Sequence, residues 1–178
     1  DEIYLDFTQG GLENTGRLCD FALQGGGYFA VLTPAGERYT RDGCFNVNGE
    51  GYLVTNDGHY VLGVNGRLRV GLGEFSVDES GNVTAGGVSA GRLKIVSFAD
   101  PGGLRKVGDN LFVNYTNQAV LQATDTAVKQ GYLEASNVDV AGEMVEMMTV
   151  FRAYETSQRM VKMLDESLGK AVNEVGRV

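Results

Sequence analysis

The sequence is poor in the residues that most active sites and metal centres use. It contains no tryptophan, a single histidine (His59) and two cysteines (Cys19 and Cys44). One histidine can form neither a metal cluster nor a base beside a nucleophile, and the cysteines are not spaced as metal ligands. We therefore predict neither a cofactor nor catalysis. The many carboxylates leave a paired-acid mechanism as a residual alternative.

Basic charge and long apolar runs are also scarce. The chain has 15 Lys and Arg against 23 Asp and Glu, a net charge of −8. A nucleic-acid partner requires the opposite sign, so none is predicted. No apolar run approaches the roughly 20 residues of a membrane-spanning helix, and the chain is not expected to span a membrane. It begins at Asp1 without a methionine or a signal-peptide pattern, so we expect it to lack its natural start.

Glycine, by contrast, is abundant: 26 residues against only two prolines. The glycines, with Asn and Asp, separate short apolar runs at intervals of about ten residues, which is typical of antiparallel strands joined by tight turns. Thr33–Gly36 and Asp78–Asn82 are two such turns. The second resembles part of a calcium loop, but it lacks the later glutamate ligand. The strands predicted are 21–24, 28–32, 37–41, 44–47, 52–55, 59–62, 75–77, 83–85, 92–98 and 111–115.

The period of the apolar residues changes at about Asp139. From there, apolar or permissive residues recur at steps of four and three, as on one face of an α-helix. We predict a helix roughly 50 Å long, capped by Asn137 or Asp139 and ended near Gly176. Polar Gln158 and Asp165 interrupt the apolar seam. The seam residues, predicted to form an assembly interface, are Val140, Met144, Met147, Phe151, Tyr154, Val161, Leu168, Val172 and Val175.

An apolar seam of this length needs a partner, because an isolated apolar stripe is unfavourable in water. We expect it to pack against helices of other subunits. Two alternatives stay open: the helix folds back over its own sheet, or it forms an ordinary dimeric coiled coil. The predicted fold is thus mainly β, with an antiparallel β-domain over residues 1–136 and one long C-terminal helix over residues 137–178.

Several motifs occur in a fixed order along the chain. Gly16–Val31 leads from a Leu-Cys-Asp-Phe-Ala-Leu strand through three glycines into paired aromatics, and Tyr39–Gly63 carries a second block. In this order the motifs resemble those of the flagellar rod and hook family of bacterial axial proteins. The residues of the C-terminal family motif are Gln130, Gly131, Tyr132, Leu133, Glu134, Ser136, Asn137, Arg152, Ala153, Tyr154 and Glu155.

The resemblance implies a structural subunit of the flagellar basal-body rod. Such a subunit is exported through the flagellar type III apparatus without a cleaved signal. It assembles with itself and with other rod and hook subunits into the drive shaft that transmits torque. Its β-domain forms an outer layer, and its C-terminal helix pairs in an inner tube with an N-terminal helix that this chain lacks. Proximal and distal rod types are not distinguished.

Two features fit the resemblance less directly. Cys19 and Cys44 stand where the family has an apolar and a small polar residue, which argues against a functional disulfide. The aromatic residues Tyr28, Phe29 and Tyr52 suggest a second function, an extracellular glycan-binding β-module associated with the cell wall, because exposed aromatic rings can stack on sugars.

Overall fold

The computed structural model describes residues 8–123 and 125–175, except for the side chains of residues 171–175. Within these residues the chain forms seventeen short strands, one short 3₁₀ helix and one long α-helix. The first nine strands are β1 Leu12–Asn14, β2 Phe21–Gln24, β3 Tyr28–Thr33, β4 Gly36–Thr40, β5 Phe45–Val47, β6 Leu53–Thr55, β7 Tyr60–Gly63, β8 Gly66–Arg67 and β9 Phe75–Val77. The remaining elements are β10 Asn82–Ala85, β11 Val88–Arg92, β12 Ile95–Ser97, the 3₁₀ helix Pro101–Gly103, β13 Leu104–Lys106, β14 Leu111–Asn114, β15 Leu121–Gln122, β16 Ala127–Gln130, β17 Tyr132–Glu134 and α1 Val140–Val175.

The largest sheet has ten antiparallel strands. Its main path runs in the order β13-β14-β4-β3-β7-β6-β5, with β12 beside β3, β15 beside β12 and β8 beside β7. The central hairpin joins β3 to β4 through the turn predicted at Thr33–Gly36, which the structure confirms. Gly36 has a φ of +104° there, a conformation that residues with a side chain rarely adopt.

Three smaller sheets complete the β part of the described residues. One is the meander β9-β10-β11, and the other two pair β1 with β17 and β2 with β16. The last two join chain segments more than a hundred residues apart, such as Phe21 with Gln130. The ends of this part of the chain are therefore held together by backbone hydrogen bonds.

The large sheet is covered on both faces by apolar side chains. One cluster is centred on the fully buried Phe21, Phe29 and Val61. A smaller cluster on the opposite face contains Tyr28 and Leu62, with the Phe98 ring packed edge-on against Tyr28 at 5.8 Å. Neighbouring residues such as Tyr28 and Phe29 point to opposite faces, as the alternation of a strand requires.

The predicted strand over residues 92–98 is wrong as a single element. The structure divides it into the end of β11 and the separate strand β12, with Leu93 and Lys94 between them. The Leu93 N–H donates to the carbonyl of Gly81, and the Lys94 N–H donates to the carbonyl of Leu62. The chain passes from the small meander to the large sheet at this point, and the alternating pattern of residues 92–98 does not reveal such a change of pairing partner.

The predicted mainly antiparallel fold with one long C-terminal helix is confirmed. The chain divides into two compact units, with the boundary between Asn137 and Val138. In the first unit, Asp78 accepts hydrogen bonds from the N–H groups of Ser80 and Asn82 at 2.9 Å, as predicted for a turn. In the second unit, the Asp139 carboxylate accepts from the Ala141 N–H at 3.1 Å, as a helix cap does.

We expect two buried tyrosines to make the stability of the β unit fall in alkali. Burial, the largest cause, raises the pKa of both Tyr28 and Tyr39, and the carboxylate of Glu37 raises that of Tyr39 further. Well below pH 10 both hydroxyls are neutral whether the chain is folded or unfolded. Above pH 10 the unfolded chain ionises first, so it binds fewer protons and the free energy of unfolding falls.

We expect the variant Tyr28→Phe/Tyr39→Phe to lose less stability between pH 9 and pH 11 than the unmodified chain. Urea unfolding at each pH measures this slope. Tyr115→Phe serves as the control, because that ring is 69% exposed. Equal slopes for the unmodified chain and the double variant would show that these hydroxyls do not govern alkaline unfolding.

Candidate assembly surfaces

The helix α1 carries its apolar seam on the surface. Every side chain described on it, from Val140 to Lys170, is exposed. No helix among the described residues is both long and apolar enough to cross a membrane. The predicted stop at Gly176 lies outside the described residues, as do the side chains of Val172 and Val175. The exposed fractions of the other seam residues are Val140 59%, Met144 52%, Met147 56%, Phe151 62%, Tyr154 61%, Val161 58% and Leu168 63%.

Side-chain hydrogen bonds within the helix lie at and next to Gln158, one of the two polar residues that interrupt the apolar seam. The Gln158 amide donates to the Tyr154 hydroxyl at 2.9 Å. Thr156 and Ser157 donate their hydroxyls to the carbonyls of Arg152 and Ala153, one turn back. These bonds satisfy polar groups beside the seam within the helix itself. Gln158 is thus exposed but bonded along the stripe to Tyr154.

The family motif is divided between the two units. Arg152, Ala153, Tyr154 and Glu155 lie on α1, whereas the earlier part of the motif lies on β16, on β17 and in the segment that follows β17. The structure therefore does not bring the motif residues together as one site. The earlier part is the family motif segment of the β unit: Gln130, Gly131, Tyr132, Leu133, Glu134, Ser136 and Asn137.

Gln130 and Gly131 connect three parts of the β unit. The Gln130 amide donates to the Leu18 carbonyl at 2.8 Å, and its side-chain oxygen accepts from the Val77 N–H at 2.9 Å. The Gly131 N–H donates to the Asp20 carbonyl, also at 2.8 Å. Gly131 has a φ of +79°, so a side chain would strain the turn between β16 and β17. These contacts give the motif a structural role.

Glu134 forms the centre of a second set of contacts. Its carboxylate accepts from the Arg41 guanidinium at 2.6 Å and from the Gly10 N–H at 3.1 Å. Arg41 also donates to the carbonyls of Gly27 and Leu23. All of these groups are at least partly buried, where a charge-assisted bond contributes more than it does on the surface.

Tyr132, Leu133 and Asn137 of the motif contact residues at the N-terminal end of the described chain. Tyr132 and Leu133 pair with Asn14 and Glu13 in the two-stranded sheet β1-β17. The Asn137 amide donates to the Thr8 carbonyl at 3.1 Å. The sequence alone did not reveal these partners, because each lies more than a hundred residues away.

A groove of about 800 Å³ lies beside this arrangement, lined by Tyr28, Arg41, Phe98 and Glu134 among others. The Arg41 guanidinium in its wall is already bound to Glu134 and to two carbonyl groups. Within the described residues, no three His, Cys, Asp or Glu side chains converge as metal ligands would.

Asp20 is a fully buried carboxylate close to the two cysteines. The Thr15 hydroxyl donates to it at 2.7 Å, and Arg17 lies 3.5 Å from its other oxygen. Cys19 and Cys44 are both free thiols. Burial raises the pKa of the Cys19 thiol, which disfavours the reactive thiolate.

The glycan-binding alternative has no support in the structure. Tyr28 is 8% exposed and Phe29 is fully buried, so neither ring can stack on a sugar. Tyr52 is half-buried, and its ring packs edge-on against Tyr60 at 5.6 Å. Tyr28 and Phe29 serve the packing of the β unit.

Comparison with known proteins gives consistent matches. Residues 22–85 match the model of the flagellar hook protein FlgE/F/G D1 domain, and residues 129–174 match the C-terminal model of the flagellar basal body rod FlgEFG proteins. The flagellar basal-body rod protein FlgF of Caulobacter vibrioides is 40% identical over 97% of this chain and 72% of its own length. The flagellar basal-body rod protein FlgG of Bacillus subtilis is 36% identical over 90% of this chain and 67% of its own length.

These similarities cover both compact units in one order, and they confirm the resemblance found in the motifs. The chain belongs to the flagellar basal-body rod protein family and is a structural subunit of the flagellar basal body.

Proposed function

We propose that the seam of α1 is the surface through which this subunit assembles with other rod and hook subunits. The observation that carries the proposal is the exposure of the seam: its described side chains are 52–63% exposed in the single chain. Soluble proteins seldom leave an apolar stripe of this length uncovered. Assembly covers it when the seam packs against helices of neighbouring subunits.

The energetics favour such packing. Full burial of one large apolar side chain stabilises a contact by roughly 1.5–3 kcal/mol. The seam offers Phe151, Tyr154 and Leu168 among others, and their contributions repeat at every subunit position. Part of this gain is lost to the ordering of side chains on association. Gln158 and Asp165 fix the register, because a polar residue in a seam tolerates few alternative alignments.

The two compact units have different roles in this proposal. The helix, taken as residues 137–178, forms the inner tube of the rod, and the β-domain, taken as residues 1–136, forms the outer layer. The family motif segment of the β unit supports this division, because its bonds hold the end of the β-domain that precedes the helix in the chain. Torque passes through these non-covalent contacts.

The subunit works without catalysis or a cofactor in this proposal. The groove in the β unit supports this view, since Arg41 is occupied by Glu134 and two carbonyls. The flagellar type III export apparatus is the partner that delivers the subunit to the growing rod. Membership of the rod family is what supports this partner.

Methionine oxidation tests the proposed seam directly. Met144 and Met147 lie on the seam, whereas Met163 lies on the opposite side of α1; all three are 52–61% exposed. We expect assembly into rods to slow peroxide oxidation of Met144 and Met147 more than that of Met163, because a covered thioether is shielded from the oxidant. Peptide mass spectrometry on assembled and unassembled full-length protein measures the three rates.

The unassembled protein is the matched control, since all three methionines are exposed there and should be oxidised at similar rates. Equal protection of the three residues in rods would indicate that the helix is buried without preference for the seam. Protection of Met163 alone would place the interface on the side of α1 opposite the seam and would overturn the proposal.

A further inference from the structure

Two tyrosines and two arginines form a continuous patch on the β unit, here named the Tyr–Arg patch: Tyr52, Tyr60, Arg67 and Arg69. The Arg67 guanidinium lies over the Tyr60 ring, 4.2 Å from its centre, and Arg69 lies 6.0 Å from the centre of Tyr52. The two rings meet edge-on at 5.6 Å. The backbone fixes this arrangement, because Tyr52 pairs directly with Arg69 in an isolated bridge.

The patch lies on one face of the large sheet. Leu53, Leu68 and Val70 alternate with its members along the chain and are buried on the other face. Tyr60 pairs with Leu32 on the neighbouring strand, which extends the patch toward the smaller apolar cluster. Arg67 and Arg69 are exposed. The sheet thus holds two guanidinium groups and two aromatic rings in a fixed surface array.

A surface made of tyrosine and arginine side chains has the composition of a protein–protein interface. Tyrosine and arginine are the residues enriched at the energetic centres of protein interfaces. The ion pairs formed within the described residues use other cations, namely Arg17, Arg41, Lys94 and Lys129. Arg67 and Arg69 have no carboxylate partner within the described residues. The patch therefore presents two positive charges on a chain whose net charge is −8.

The first third of α1 has the complementary character. Glu143 and Glu146 follow Asp139, the cap of the helix, on one line of its surface at steps of four and three, and no Lys or Arg occurs on α1 before Arg152. The Asp139 carboxylate already accepts from the Ala141 N–H, so Glu143 and Glu146 are the two carboxylates of this line that are available to a partner. This line, here named the acidic flank, runs beside the apolar seam and not within it. Its side chains are exposed.

The acidic turn at Asp78 and Glu79 is a weaker match for the patch. The Asp78 carboxylate is bound by Ser80 and Asn82, and Glu79 pairs with Lys129. Glu143 and Glu146, by contrast, form no ion pair within the described residues.

We propose that the Tyr–Arg patch of one copy binds the acidic flank of α1 in a second copy. The proposal rests on the proposed function, because it requires that copies of this chain assemble. It adds a second contact to that of the seam: the seam joins helix to helix, and the patch joins the β unit of one subunit to the helix of another. Electrostatic complementarity of this kind selects the correct partner and its register.

Photo-crosslinking tests this contact. A benzophenone amino acid replaces Tyr52 in the full-length chain, which is then assembled in its native host and irradiated. We expect a product with the mass of two copies whose crosslinked peptide contains Glu143 and Glu146. A crosslink within one copy, to another protein or to any other segment would overturn the proposal.

Charge reversal supplies a second measurement. We expect R67E/R69E to lower the yield of the two-copy product about tenfold, because attraction at two positions becomes repulsion. E143R/E146R in the same chain should restore it. R105E/K106E, which reverses two charges on β13, is the matched control and should leave the yield unchanged. Failure of the combined variant to exceed R67E/R69E would overturn the proposal.

The two proposals fail in different ways. If the chain does not assemble through the seam, rods protect Met144 and Met147 from oxidation no more than they protect Met163. If only the patch contact is wrong, rods form normally but the crosslink to the acidic flank is absent.

Discussion

Replacing Phe151 by Asp is expected to abolish assembly of the rod while leaving the β unit folded. The Phe151 side chain is 62% exposed in the single chain, so an aspartate there meets water and disturbs no core. In the proposed assembly the same position is buried, and an unpaired charge replaces a large apolar side chain. The contact loses roughly 1.5–3 kcal/mol of burial and also carries the cost of desolvating a carboxylate.

Every subunit of the rod carries the substitution and loses this contact free energy. The total loss for the assembled rod therefore far exceeds the loss at a single contact. A loss of about 1.4 kcal/mol already weakens one contact tenfold. Swimming in soft agar and electron microscopy of isolated basal bodies measure the outcome, with the variant as the sole copy of the chain in the cell. Thermal unfolding followed by near-ultraviolet circular dichroism checks that the β unit is intact.

Met163→Asp is the matched control for this variant. Met163 is as exposed as Phe151 and lies on the same helix, but away from the seam. An aspartate at either position has the same intrinsic effect on the helix. We expect cells with Met163→Asp to swim. If both variants swim, or if neither does, the seam is not the specific interface.

The sequence predicted those parts of the structure whose signals are local. The turn at Thr33–Gly36 follows from its proline and glycine, and the turn at Asp78 follows from a carboxylate placed to accept nearby N–H groups. The helix follows from an apolar period sustained over about ten turns. In each case, residues close together in the chain determine the conformation.

Long-range pairing could not be predicted in the same way. Gln130, Gly131 and Glu134 belong to the family motif that the sequence shows. Their hydrogen-bond partners are remote in sequence: Leu18, Asp20 and Arg41. The break between β11 and β12 was missed for the same reason, since it arises from a change of pairing partner. The Tyr–Arg patch is likewise invisible in the sequence, because strand pairing alone brings Tyr52 to Arg69.

The pairing of remote segments also places one core residue, Phe21, where several parts of the β unit meet. Phe21 is fully buried, its ring lies 6.0 Å from that of Phe45 and 6.3 Å from that of Phe75, and its backbone pairs with Gln130. It thus joins the large sheet, the small meander and the family motif segment of the β unit. We expect Phe21→Ala to lower the free energy of unfolding of the β unit by about 3–5 kcal/mol.

Such a loss is a large part of the 5–15 kcal/mol or so that stabilises an ordinary domain. Urea unfolding followed by near-ultraviolet circular dichroism measures it, and Val88→Ala, at a position 70% exposed, should change stability by no more than about 0.5 kcal/mol. A loss below about 1 kcal/mol for Phe21→Ala would mean that the surrounding rings close the cavity. Because the seam lies in the other unit, this variant should fail in the cell through unfolding of the β unit, whereas Phe151→Asp should fail with its β unit folded.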